Sequence, residues 1–360
     1  MSLQDDWALL LDRSDADPLF MSWAWQISWW EVWGSELDLT LLLLAVYDEN
    51  EQLVALAPLY VNEFTTPVGW RVRRLHVVGN AWKLKPTVRT EYVGFIADIR
   101  HKSAALAALA GYLKQEAWDE LILADASLQT MAEWESQLDL HVNAARLVRS
   151  TAEGVVINTS GEYSAWLAGL GKNTRLKAFN RRALFEGELR GTWCPWSDPE
   201  SFLSLLNEFH QERWGKACFD KHAVRFHQRL LARLSDNQQA RLSVLKSGDK
   251  VLSVLYDIRA GNRIYNLQAG FSEQFHSKIS VGTLHLGYSI EQAFSDPAVV
   301  EYDLLAGAGK NTFYKRHFKG QIVPFTTVEY VRSPVLKLAY GARGFLPQGL
   351  VSSVNRFFRL

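Results

Sequence analysis

The sequence predicts an α+β protein of two domains, each with one central, mostly antiparallel sheet flanked by helices. Three observations carry that expectation. LTLLLLAVYDENEQLVALAPLYVNEF, residues 39–64, reads as two β-rich runs around the turn residues Asp48 to Glu51. RLSVLKSGDKVLSVLYDIRAGNRIYNLQAG, residues 241–270, places Ser247-Gly248-Asp249 and Ala260-Gly261-Asn262 as closely spaced turns, which makes a three-stranded meander. The chain of 360 residues is neutral overall, yet residues 1–150 hold 12 Lys/Arg against 21 Asp/Glu and residues 151–360 hold 27 against 18. Opposite charge in the two halves suits two domains, here 1–150 and 151–332, followed by a tail at 333–360. Either the second half attracts a phosphate-bearing ligand or the opposite charges help the halves dock.

The first element is PLFMSWAWQISWWEVWG, with Trp25, Trp29 and Trp33 at i, i+4 and i+8. That is one stripe of a helix, and such a stripe is core packing, with Gly34 as its stop. Trp23 and Trp30 remain as faces on which a sugar would stack. After the hairpin come strand candidates at 73–78, 92–96, 120–124 and 144–148, with an Ala/Leu-rich helix at 102–117. WRVRRLHVVGNAWKLKPTVRTEY carries Arg71, Arg73, Arg74, Lys83, Lys85 and Arg89 with no acid between Phe64 and Glu91. It reads either as a strip for an anionic glycan or nucleotide sugar, or as a charge-protected strand edge. The second half opens with a strand at 155–158 and helices at 161–170 and 172–187, the latter amphipathic and basic. Helices at 199–214 and 222–234, the meander, a loop, a helix at 282–294, a strand at 300–305, a short helix and a last strand near 323–331 complete the order.

The composition, 48% hydrophobic and 22% charged, is that of a folded globular protein. The uncharged apolar run at 39–47 is nine residues, where a bilayer span takes about 20. Asp5 and Asp6 stand where a secretory signal has basic residues, and Cys194 and Cys218 are too few for a disulfide framework, so the expected compartment is the cytoplasm. No GxSxG, HExxH, CxxC pair, Walker loop or GxGxxG occurs, and the nine histidines show no metal-ligand spacing.

Chemistry concentrates after the meander. Ser280-Val281-Gly282-Thr283 opens a helix, whose N-terminus offers N–H groups to a phosphate. Gly282 admits a ligand to the backbone, and Ser280 or Thr283 caps the helix or bonds the ligand; an ordinary cap with a permissive glycine reads the same. Asp303 sits in the otherwise apolar strand EYDLLAG, where a carboxylate takes either a structural partner or a catalytic role.

IYNLQAG…SKISVGTLHLGYSIEQAF…VEYDLLAG…YK resembles the C-terminal half of GNAT-fold acyltransferases of the CelD/FemAB-like kind, often associated with bacterial cellulose, exopolysaccharide or peptidoglycan-related pathways. WWEVWG, KNTRLKAFNRRALFEGEL and FHQERWGKACF agree with it, so that the resemblance covers residues 18–330. It implies two tandem GNAT-like domains, the second binding an acyl-CoA or acyl carrier thioester between splayed strands at 263–269 and 300–305, with no metal. Gln268, Ser280, Gly282, Thr283 and Lys310 would then contact the donor, and Tyr314 would be the acid. Lys315 resembles the family's YK lysine and would neutralise charge. Asp303 and Glu91 are the base candidates, and Arg89, Tyr92 and Trp30 would meet the acceptor. The segment 307–314 is longer than the usual gap before YK, which bears on Lys310 and Lys315.

The leading expectation is acyl transfer to an amino or hydroxyl group of a sugar or small metabolite. Aminoacyl transfer from tRNA and a non-catalytic partner-binding module are the alternatives. The tail holds Lys337, Arg343, Arg356 and Arg359 with no acid among apolar residues. It would lie on the inner membrane surface or pack on the acidic first half.

Overall fold

The computed structural model describes residues 2–138, 144–307, 314–342, 352 and 357–358. In chain order the elements are α1 (Leu3–Asp12), α2 (Trp23–Trp33), β1 (Thr40–Tyr47), β2 (Leu53–Thr65), β3 (Arg71–Val77), β4 (Ile96–Ala97), α3 (Lys102–Gln115), β5 (Glu120–Ser127), α4 (Leu128–Leu138) and β6 (Ala145–Asn158). They continue with α5 (Tyr163–Gly169), α6 (Lys172–Arg175), α7 (Arg182–Gly187), β7 (Gly191–Pro195), α8 (Pro199–Trp214), α9 (Lys221–Ala232), β8 (Gln238–Ser247), β9 (Lys250–Ala260) and β10 (Arg263–Phe271). The last are α10 (Val281–Ser295), β11 (Glu301–Gly307), β12 (Gln321–Val331) and α11 (Pro334–Ala342). The chain forms two compact units, Met1–Ala152 with Pro324–Leu360, and Glu153–Val323.

Both units follow one plan. In unit 1, β1, β2 and β3 are antiparallel neighbours, β3 runs parallel to β5, and β5 is antiparallel to β12. In unit 2, β7 to β10 are antiparallel, β10 runs parallel to β11, and β11 is antiparallel to β6. The expected α+β class with a mostly antiparallel sheet in each unit holds. The parallel step requires a crossover, supplied by α3 in unit 1 and α10 in unit 2. The closing strand of unit 1 comes from the far end of the chain, so residues 324–332 belong with unit 1 and do not complete the second domain. A turn signal marks a local hairpin but says nothing of a pairing across two hundred residues.

Leu106, Leu109 and Leu113 of α3 pack with Leu121, Leu123, Trp118 and Trp134 to form the main core of unit 1. The tryptophan stripe of α2 is packing: Trp25, Trp29 and Trp33 are at most 1% exposed, and Trp29 stacks on Tyr60 with centroids 5.8 Å apart. Gly34 has φ −55° and is no left-handed stop; a Cβ there would lie 2.7 Å from the Trp30 carbonyl.

Four expected elements differ. Of the strand expected at 92–96 only Ile96 is paired, in β4, and Tyr92 has φ +52°. The strands expected at 144–148 and 155–158 are one, β6. The helix expected over 172–187 is broken by a π turn at Leu176–Asn180, where the Ala178 carbonyl lies so close to Gly287 of α10 that a Cβ there would be 2.1 Å away.

The described part of the tail packs on unit 1. Leu336 of α11 is fully buried with Phe64, Val72 and Val331, and Phe358 meets Trp70 edge-on at 5.9 Å. Beneath it lies a buried ionic cluster in which Glu120 and Glu329 are paired with Arg74, Lys83 and Arg149, and Tyr340 donates to Glu120 at 2.6 Å.

Candidate active site

The ladder between β10 and β11 lasts three residues, Arg263↔Glu301, Ile264↔Tyr302 and Tyr265↔Asp303, after which the parallel strands part. Asp257 of β9 secures the fork. Buried, it accepts hydrogen bonds from Asn266 of β10 (2.7 Å), Ser289 of α10 (2.6 Å) and Tyr302 of β11 (2.8 Å). Burial raises its pKa, and the three donors oppose that rise.

Past the fork, β10 turns selected peptide groups to the opening. Ser272 donates its N–H to Leu252 beyond the end of β9's pairing, so by antiparallel alternation Gly270 faces β9 while Ala269 and Phe271 face away from it. Side chains hold both polar groups of Ala269: its N–H donates to Gln268 Oε1 (3.1 Å), and its carbonyl accepts from His210 Nε2 (3.0 Å). Gln268 therefore lies beside the gap, with its side-chain carbonyl holding the Ala269 N–H.

The helix start beside the gap is α10, beginning at Val281. Ser280, its N-cap residue, makes no side-chain cap; its hydroxyl bonds Thr283 Oγ1 at 3.0 Å. The close approach to Gly282 is made by the chain itself, since a Cβ there would lie 2.5 Å from the ring of Phe271. The expectation that Gly282 admits a ligand is corrected to this packing. Arg213 of α8 lies over the same ring, 4.5 Å from its centroid, and pairs with Glu273 at 2.6 Å. A cation thus stands at the uncapped helix start, a residue that sequence reasoning passed over although FHQERWGKACF contains it.

β11 is bulged where it leaves the fork, the register against β6 shifting between Asp303 and Ala306, with Leu305 at φ +57°. Two charged residues brace the bulge. Asp303, fully buried, accepts the Leu305 N–H at 2.7 Å and stands 3.8 Å from Arg263. Lys315 is 8% exposed and donates to the carbonyls of Leu304 (2.6 Å), Leu305 (3.0 Å) and Ala306 (3.1 Å). The ammonium expected to neutralise developing charge is engaged by backbone. Tyr314 precedes it and is 41% exposed; burial around its phenol raises the pKa, with the Arg213 charge opposing. Lys310 lies outside the described residues.

The acceptor-side candidates are in unit 1. Its parallel ladder is equally short, Arg74↔Glu120 to His76↔Ile122, and β5 is likewise irregular, with Asp125 at φ +50°. The segment carrying Arg89, Glu91 and Tyr92 fills the space beyond. Arg89 grips Asp125 with two bonds (3.0 and 2.7 Å) and stands 3.4 Å from buried Glu91. Thr90 donates to the Gly79 carbonyl past the end of β3, and Tyr92 packs edge-on against Phe325 at 4.7 Å. The basic strip is neutralised from elsewhere in the unit: Arg71 and Arg73 by Glu63, Arg73 also by Glu116, Lys85 by Glu36, and Arg74 and Lys83 by Glu120. Trp30 lines an apolar groove of about 80 Å³ with Trp7, Trp23, Ile27, Leu41 and Pro58, where a sugar hydroxyl finds little to bond.

Residues 172–316 match the family model described as acetyltransferase (GNAT) domain. The second unit carries the GNAT fold. No curated protein sequence matches the chain. Among solved structures it is similar to FemX (13% identity, TM-score 0.64, 94% of this chain and 98% of that one). It is also similar to L-PGS from Bacillus licheniformis (10%, 0.50, 94% and 96%). A third is the C-terminal domain of a putative lysylphosphatidylglycerol synthetase from Agrobacterium fabrum (9%, 0.50, 92% and 92%). A GNAT fold supports a transferase. Among the described residues no helix is long and apolar enough to cross a membrane, and no cluster of His, Cys, Asp or Glu would hold a metal.

Proposed function

We propose that the protein is an acyltransferase whose second unit takes an acyl thioester, of CoA or an acyl carrier protein, into the gap between β10 and β11. The acyl group passes to an amino or hydroxyl group of a sugar or small metabolite; the CelD-like resemblance favours a polysaccharide precursor. The observation that supports this reading is the fork at Tyr265↔Asp303 with the Ala269 peptide turned to the opening. Once Gln268 releases it, the Ala269 N–H polarises the thioester carbonyl, and the first turn of α10 with Arg213 meets the donor's phosphates. Tyr314 protonates the departing thiolate. Lys315 and Asp303 keep the β11 wall in shape, and because Arg89 to Tyr92 fill the equivalent space in unit 1, one donor site per chain is proposed.

Thermal unfolding with acetyl-CoA, a longer acyl-CoA and free CoA tests this. A donor that binds the native state raises the unfolding temperature, and ligand at 100 times its Kd contributes about 2.7 kcal/mol. No rise with any of the three overturns the thioester reading.

A second reading, aminoacyl transfer from tRNA, has its own support. Lys221, Arg225, Arg229 and Arg233 follow at four-residue spacing along α9 and its C-terminal cap, and one similar fold is named for an aminoacylated lipid. tRNA binding that weakens steeply with salt, alongside indifference to CoA, would favour it.

A further inference from the structure

His210 touches the gap edge through the Ala269 carbonyl. It lies on α8, half-buried, with Nε2 3.0 Å from the Ala269 carbonyl. A carbonyl only accepts, so Nε2 carries the ring hydrogen and Nδ1 keeps its lone pair. Among the described residues Nδ1 has no hydrogen-bond partner, and it is not one of the polar atoms sealed from solvent. The neutral ring is thus fixed in one tautomer, anchored to the peptide that faces the opening, with its basic nitrogen accessible.

We propose, resting on the thioester reading, that His210 is the general base of the transfer and takes the acceptor's proton at Nδ1. The acceptor nitrogen or oxygen attacks the thioester carbonyl carbon. The new C–N or C–O bond forms as the C–S bond breaks, and the C–S electron pair leaves on sulfur. The acceptor proton moves to Nδ1, Tyr314 gives its proton to the thiolate, and solvent returns the imidazolium proton to the phenolate. Burial lowers the His210 pKa, and Arg213, one turn further along α8, is the charge that acts on it in the same direction; the bond to Ala269 opposes both. The ring is therefore unprotonated at neutral pH. Arg213 is itself balanced by Glu273, and its charge also acts on Tyr314.

The tests use the full chain and His210→Gln, whose amide nitrogen still reaches the Ala269 carbonyl but carries no basic lone pair. Nitrogen-15 NMR, with the His210 signals assigned by their loss in the variant, should show the Nε2–H tautomer titrating below about 6.5. Diethyl pyrocarbonate should modify His210 in the free protein, and acetyl-CoA should protect it more than free CoA does. Acetyl-CoA hydrolysis, with water as the acceptor and thiol release as the readout, should fall about 100-fold or more in the variant and lose its acid limb, while affinity for CoA stays unchanged. An Nδ1–H tautomer, an unreactive ring, or a hydrolysis rate and pH profile unaltered by the substitution overturns the assignment. Failure of CoA to bind the wild-type protein defeats the thioester reading instead, while the tautomer and reactivity of His210 still report on the ring.

Discussion

Replacing Lys315 with methionine separates the two roles this residue can have. The substitution keeps the length and apolar stem of the side chain and removes only the ammonium, which bonds three successive carbonyls at 2.6, 3.0 and 3.1 Å. Leaving a buried carbonyl without its donor costs about 1–3 kcal/mol. Leu304 is fully buried and Leu305 is 7% exposed, whereas Ala306 is partly exposed and its carbonyl will find water. Two full penalties and one small one come to roughly 3 kcal/mol. The bulge adds to this, because the left-handed Leu305 persists only while its surroundings hold it. For a unit of about 170 residues, each kcal/mol moves the unfolding midpoint by roughly 2–4 °C, so the expected fall is about 6–12 °C. Urea and thermal unfolding followed by tryptophan fluorescence measure it, with donor affinity taken on the folded variant. As a brace, Lys315 should give a large loss of stability together with weakened donor binding. A midpoint within 1 °C of wild type, with turnover alone reduced, would refute the brace and make the ammonium a participant in the chemistry.

Gly282→Ala should lower stability by about 1–3 kcal/mol, because the new methyl meets the Phe271 ring at 2.5 Å; adding Phe271→Leu should recover much of the loss in a double-mutant cycle. Burial alone would raise the pKa of Glu120, but Lys83 and Arg74 bring it from 4.5 to about 2. Its contribution to unit 1 is therefore complete above pH 4.5 and lost as the pH falls through about 2, and Glu120→Gln should remove that acid limb while costing about 3–5 kcal/mol at neutral pH. Deleting residues 333–360 should destabilise unit 1, since it exposes the surfaces covered by Leu336 and Phe358 and strips Tyr340 from Glu120; unfolding of the truncated protein measures it. If the outward face of α11 meets anionic lipid, Leu338→Asp, at a position 75% exposed, abolishes low-salt liposome flotation without changing stability.

The parts legible in the sequence are those whose cause is local. The hairpin at 39–64, the meander and the stripe of Trp25, Trp29 and Trp33 each follow from periodicity and turn chemistry within a short window, and each appears in the structure. The polar residues are different, because their partners decide what they do. Arg73 and Arg74 look like an open basic strip in sequence, yet Glu116 and Glu120 arrive from across the parallel step to pair with them. Gly282 and Lys315 illustrate the same limit inside the candidate site. A glycine at a helix start signals that something comes close to the backbone, and the signal is correct; what comes close is Phe271, eleven residues earlier. A lysine after an apolar strand signals that negative charge is met nearby, and what it meets is the carbonyl row of Leu304 to Ala306. Sequence therefore marks Gly282 and Lys315 as residues in close contact and does not say with what. A fork between parallel strands leaves peptide groups without a ladder, and a chain must spend some of its polar side chains to hold them. The residues that read as catalytic in a one-dimensional scan include some that hold backbone, and His210, inside FHQERWGKACF but not singled out there, bonds the Ala269 carbonyl and among the described residues has no partner at Nδ1.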